Sequence, residues 1–301
     1  MKTKILSQET FKALTVFQFN FEPTDEMKIL TGDEAIESKQ VTITETSDSG
    51  TVGNLLAQNL SNEFVFFSDG DILKGAKQNR TLNTSILMRP NSKVIFPVSC
   101  VEQGRWRFNS REFKNESFSK PPKLRKEMNE NVLFNKKKNP KSFDANQSKV
   151  WESVSFYNNI YEANSNTLSY SDVYEKENLN FDNFKNKFLY SNNSSGFAFF
   201  KNNKLISIDV FNNSYLGSHY FKKLLLGIIP DVYLTQNIDN YDEKKCIDAF
   251  NYFISAYGEE KFREYNGVDA GKEKRFDSEI LTGMELTYEN RLIHLSIINL
   301  N

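Results

Sequence analysis

Histidine and cysteine are almost missing from this 301-residue chain, which holds two of each. Cys100 and Cys246 lie far apart, so the sequence supports no disulfide framework. No His, Cys or carboxylate cluster has zinc-ligand spacing, and no metal is expected. An excess of charge is missing too: the formal net charge is −1 with a pI near 6.3, which argues against a general nucleic-acid binder. No run approaches the roughly 18 apolar residues that span a bilayer, so no membrane partner is expected. After Met1-Lys2-Thr3-Lys4 the chain alternates instead of forming the unbroken apolar stretch of a signal peptide. A reduced, cytoplasmic setting is the expectation. No repeat at a fixed period is visible.

What the chain has is aromatic bulk. Its 26 Phe and 13 Tyr, within an apolar fraction of 39%, suffice for a substantial core. Phe17, Phe19 and Phe21 alternate with Gln18 and Asn20, the pattern of a half-buried strand. A short helix is expected between Pro23 and Ser38, capped by Thr31 or Asp33. Val41–Glu45 reads as a strand, whereas Val52–Leu60 fits a strand or one helical turn equally. Asp69-Gly70 signals a hairpin turn after the aromatic run Glu63–Phe67. From Thr81 to Met88, alternation puts Leu82, Ile86 and Met88 on one face and Asn83 and Ser85 on the other. Arg89–Ser92 reads as a turn, and Lys93–Glu102 as a returning strand apolar on both faces, making a buried hairpin.

Between Arg105 and Lys149 thirteen Lys or Arg stand against five Asp or Glu. This span reads as a long basic loop with a short helix near Lys123–Asn129, either solvated or serving as a flap for an anionic ligand. Beyond it, apolar residues at helical spacing mark Val150–Tyr161, Phe181–Phe188, Phe221–Ile228 stopped by Pro230, and Ile247–Tyr257 ended by Gly258. Hairpins are expected across Asn202-Asn203 and Glu289-Asn290. The resulting class is α+β: a strand-rich, sandwich-like antiparallel N-terminal half, then helices and hairpins. One domain, 1–301, would comprise a strand-rich lobe 1–108, the basic loop 109–146 and a helix-plus-hairpin lobe 147–301.

The chemistry-bearing residues concentrate in two stretches, Gly75-Ala76-Lys77-Gln78-Asn79-Arg80 with Asn83, and Pro97-Val98-Ser99-Cys100-Val101-Glu102-Gln103-Gly104-Arg105-Trp106. Lys77 and Arg80 suit phosphate oxygens, Arg with two parallel donors. The same residues equally fit a structural network tying Arg80 to Glu102 or Asp69. Cys100 could be a thiolate nucleophile beside a cation, or an inert thiol on an apolar strand. Glu102 could be an acid/base at an N-glycosidic bond, or an ion-paired structural residue. Trp106 could stack on a base or cap a core. Gly267–Lys272 lacks the spacing and the hydroxyl of a phosphate loop and is set aside.

These two stretches resemble the motifs of a bacterial family, the ADP-ribosylglycohydrolase- and rhodanese-phosphatase-superfamily-associated domain. Weaker likeness runs through Gly50-Thr51-Val52, Asp69-Gly70, Arg111 with Phe113, Gln147 with Trp151, Asp209 with Phe211, Arg275 and His294. The resemblance implies a place in NAD or ADP-ribose metabolism, with a small phosphorylated nucleotide as ligand and ADP-ribosylglycohydrolase-pathway proteins as partners. It names no cofactor and no reaction. On this reading Lys77, Arg80 and Arg105 would hold phosphates, and Gln78 and Asn79 would orient sugar or base. Asn83, Gln103, Trp106, Asp69, Asp209 and Arg275 would complete the ligand site, and Glu102 and Cys100 would be the catalytic candidates. A non-catalytic module binding the same ligand, or a partner, fits equally.

Overall fold

A computed structural model describes residues 2–22 and 27–299. The chain begins with β1 (Lys2–Phe11), β2 (Leu14–Glu22), β3 (Ile29–Thr31), helix α1 (Gly32–Glu37) and β4 (Val41–Glu45). There follow β5 (Asn54–Asn59), β6 (Phe64–Phe67), β7 (Asp71–Gly75), β8 (Arg80–Leu82), β9 (Ile86–Met88), β10 (Lys93–Cys100) and β11 (Phe113–Ser119). Helices α2 (Pro122–Lys138), α3 (Gln147–Ile160) and α4 (Ser171–Lys185) precede β12 (Gly196–Lys201) and β13 (Lys204–Phe211). Then come α5 (Ser214–Val232), α6 (Glu243–Glu259), β14 (Arg263–Asn266), β15 (Lys272–Asp277), β16 (Leu281–Tyr288) and β17 (Arg291–Asn299).

The α+β class stands, and the N-terminal half is strand-rich. A six-stranded sheet, β11-β7-β8-β10-β5-β4, faces a three-stranded one, β3-β6-β9. Ile43, Leu55, Phe96 and Val98 from the first meet Val65, Phe67, Ile86 and Met88 from the second in one buried cluster. Phe67 and Phe96 meet edge-to-face with ring centroids 5.1 Å apart. The third sheet is antiparallel, in the order β1-β2-β12-β13-β17-β16-β15-β14. One of its faces packs on α6, as in the Phe19–Phe250 contact at 5.0 Å. The other carries the largest core, shared with α2, α3, α4 and α5.

Several expectations require correction. Strand β2 pairs with β12 as well as with β1, which ties the start of the chain into the sheet of the C-terminal hairpins. For the same reason β2 is buried on both faces, with Gln18 bonded to the backbone of Leu189 and Ser191. Thr81–Met88 is not one strand: the chain turns at Asn83–Ser85, passing from the six-stranded to the three-stranded sheet. Asp69-Gly70 makes the reverse passage, so neither expected hairpin forms, although β8 does pair with β10. The two corners bond each other, the Asp69 amide donating to Ser85 Oγ at 3.0 Å. Val52–Leu60 contains a strand, β5. The basic loop 109–146 holds β11 and the 17-residue α2, with Pro122 in its first turn, where a missing N–H costs nothing.

Pro230 does not stop α5, which runs on to Val232. Proline cannot bond the carbonyl four residues back, and the Tyr174 hydroxyl donates to that Leu226 oxygen at 3.1 Å instead. Gly258 likewise lies inside α6. Thr31 caps α1 in a capping box with Glu34, while residues 23–26 lie outside the described chain. The hairpins across Asn202-Asn203 and Glu289-Asn290 form, all four residues at positive φ.

Candidate functional site

Antiparallel register brings the two motif stretches together. Cys100 pairs with Arg80 and Val98 with Leu82, so the β7–β8 loop and the chain leaving β10 emerge at the same end of the sheet. The Val101 amide donates to Asn79 O at 3.0 Å, and Gln78 Nε2 to Gln103 O at 3.3 Å. Gly75 sits at φ +137°, and a Cβ there would lie 2.7 Å from Glu112 O. Glycine is thus required where the β7–β8 loop begins.

Glu102 is fully engaged. Arg105 donates Nε to one of its oxygens at 2.9 Å and Nη2 to the other at 2.7 Å. The Asn79 amide adds 3.0 Å to the second oxygen, and Thr167 Oγ1 adds 2.9 Å to the first. Arg105 also donates to the carbonyls of Ala76 at 2.5 Å and Gly75 at 3.2 Å. Burial opposes ionisation of Glu102, but the bonds from Arg105, Asn79 and Thr167 outweigh it and hold the carboxyl below its usual range. Glu102 is therefore a buried carboxylate locking the loop, with no proton to give. Cys100 is buried, and loss of solvation pushes its thiol up to about 11. Its backbone is clasped by Gln147, whose Oε1 accepts from Cys100 N at 2.7 Å and whose Nε2 donates to Cys100 O at 2.9 Å.

Arg80 differs. Its Nη1 donates to Gln78 Oε1 at 3.1 Å, and Nη2 lies 3.7 Å from Glu45 Oε1, beyond hydrogen-bond reach. Nε and Nη2 have no protein acceptor although the side chain is wholly buried. The guanidinium lies 5.6 Å from the Trp106 ring, which is 46% exposed. Lys77 Nζ sits 5.5 Å from that ring and 5.0 Å from Phe108, donating to Ser49 O at 2.9 Å. Asn83 faces elsewhere, accepting from Ser99 Oγ at 2.8 Å and donating to Phe143 O at 2.8 Å.

Asp69, Asp209 and Arg275 join a different cluster, inside the large core. Arg125 donates to both Asp209 oxygens, at 3.0 and 2.5 Å, to Asp69 at 3.0 Å and to Ser296 at 2.7 Å. His294 Nε2 lies 3.4 Å from Asp209, and its Nδ1 bonds Ser85 Oγ at 2.8 Å. Ser85, His294 and Asp209 thus line up as a hydroxyl–imidazole–carboxylate series, but all three are buried, and Ser85 Oγ already accepts from Asp69 N. Arg275 pairs with Glu273 at 2.6 Å and bonds Asn129. Lys136 lies 3.5 Å from Glu273, and Lys120 donates to Leu82 O at 2.7 Å. Burial lowers Lys120 to about 7 against the pull of Asp69, and lowers Lys136 to about 8 against that of Glu273. Burial also opposes ionisation of Asp69, but Arg125 and Lys120 outweigh it and bring it to about 2.

Sequence reasoning missed Arg125, Lys120, Lys136 and Glu273. The available signal was helical spacing of Arg125, Asn129 and Lys136 beside Leu124, Met128 and Val132, all on the buried face of α2. Among the described residues no group of three or more His, Cys, Asp or Glu could hold a metal ion, and no helix is long and apolar enough to cross a membrane.

Fold and site define an α+β domain built around two buried ion-pair frames, one of which carries an aromatic-capped arginine. The family model of the ARG and Rhodanese-Phosphatase-superfamily-associated Protein domain matches residues 2–298, and the chain belongs to that family. The family's name ties it to ADP-ribosylglycohydrolase-associated and rhodanese-phosphatase-associated systems. No curated protein and no solved structure matches the chain.

Proposed function

We propose that this chain is a ligand-binding module of an ADP-ribose-linked system, taking a phosphate-bearing nucleotide at the Lys77–Arg80 and Trp106 cluster. The observation that carries the non-catalytic reading is the engagement of Glu102. Both its oxygens accept fixed donors, so no lone pair faces a substrate, and an acid/base role would require breaking the Arg105 clamp. The buried thiol of Cys100 supports the same reading. Ligand binding is favoured at Arg80, where two guanidinium donors lack protein acceptors under a half-exposed indole. A phosphate oxygen reaching them on displacement of Trp106 would gain a charge-assisted bond, with Lys77 adding a second cation. Trp106 would then stack on the base. Partners would be ADP-ribosylglycohydrolase-pathway proteins, after which the family is named.

The test is titration of the intact protein with NAD and with ADP-ribose, read by quenching of tryptophan fluorescence. Saturable quenching is expected, weakened at least about tenfold by Arg80→Met. Equal affinity of the Arg80→Met protein, or no binding of either ligand, would refute the assignment.

A further inference from the structure

A second site adjoins the motif strands. A cleft of about 800 Å³ opens between Asn54 and Pro97 of the six-stranded sheet, the Lys141–Asp144 loop and the β14–β15 hairpin. Its volume lies within the usual range for a small-molecule site. Phe143 and Tyr265 line it, and both contact the ammonium of Lys136, whose Nζ lies 3.4 Å from the first ring centroid and 4.8 Å from the second. Lys136 is 1% exposed, so the cation belongs to the wall and not to the opening. Asn83 also lines the cleft and fixes its far side through the bond from Nδ2 to Phe143 O.

This arrangement selects among ligand chemistries. A cation against an aromatic ring draws on its π density, so the ring stacks best on an electron-rich partner. Lining lysines Lys141 and Lys272 are matched by Asp144 and Glu264, which leaves no net charge to attract a polyanion. Carboxylates and amides, including Asn54, suit sugar hydroxyls and the edges of a base. We propose that this cleft is a binding site for a purine nucleoside, stacked against Tyr265 and Phe143, to which a phosphate adds little. The site is separate from the Arg80 cluster and does not depend on that assignment.

The test is ligand-observed NMR of the intact protein with adenosine, AMP and inorganic phosphate. Saturable adenosine binding in the millimolar range or tighter is expected, with AMP within about threefold of it and phosphate alone giving no competition. Tyr265→Leu keeps apolar bulk on a partly exposed strand and is expected to weaken adenosine at least about tenfold. A Tyr265→Phe protein, which keeps the ring, is expected to bind as the wild type does. Absence of saturable adenosine binding, unchanged binding by Tyr265→Leu, or displacement by phosphate would each overturn the proposal.

Discussion

Replacing Arg125 with methionine keeps most of the side-chain volume in α2 but leaves Asp69 and Asp209 facing each other in the core without their shared cation. Neither aspartate can stay ionised there at low cost, because burial already opposes ionisation of both and Arg125 is the largest opposing influence. The cheapest response is protonation. For a carboxyl with an unfolded pKa near 3.9, neutralising one group at pH 7 costs about 4 kcal/mol, against about 1.5 kcal/mol at pH 5. The wild type keeps its pairs at both values, since Asp69 titrates at about 2. Urea denaturation of wild type and Arg125→Met at the two pH values is therefore expected to show a loss near 4 kcal/mol at pH 7 that shrinks by about 2–3 kcal/mol at pH 5. A loss below about 1 kcal/mol, or one independent of pH, would show that the aspartates are not held by this guanidinium.

Lys120 tests the same core from the other side of neutrality. Its folded pKa of about 7 lies below the unfolded value near 10.4, so the unfolded chain binds the extra proton throughout that window and stability rises with pH across it. Wild type is expected to gain about 2 kcal/mol over Lys120→Met between pH 7 and pH 9, and equal pH dependence would contradict the burial of a lysine there. Glu102→Gln retains shape but turns one acceptor oxygen into a donor facing Arg105 or Asn79. A destabilisation of about 2 kcal/mol is expected by urea denaturation, and an unchanged midpoint would argue against the locked loop. Gly75→Ala forces a Cβ to 2.7 Å from Glu112 O at φ +137°, and a loss of about 2 kcal/mol or more is expected in the same assay.

Local chemistry announced the local structure. Alternating phenylalanines marked β2, Asn202-Asn203 and Glu289-Asn290 marked hairpins, and Thr31, one of the two caps expected, marked the start of α1. Long-range pairing was hidden. Nothing in residues 2–22 says that β2, besides pairing with β1, also pairs with β12. Only the first half of helix α2 was expected, because its inward face carries Arg125, Asn129 and Lys136, which look solvated until buried carboxylates and amides from other strands meet them. The candidate site divides the same way. Glu102 and Arg105 are three residues apart, so their pairing was within reach of sequence reasoning, as was a frame around Arg80. Arg125 finds its aspartates 56 and 84 residues away, and no spacing rule connects them.

The central claim is that the clamp on Glu102 makes the motif cluster a binding frame and not a catalytic one. Phosphorus NMR of the intact protein incubated with NAD and with ADP-ribose tests it most directly. The expected spectrum shows saturable broadening of the ligand phosphates that is lost in Arg80→Met, with no new phosphorus resonance over the incubation. Appearance of product signals with wild type and their disappearance with Glu102→Gln would contradict it.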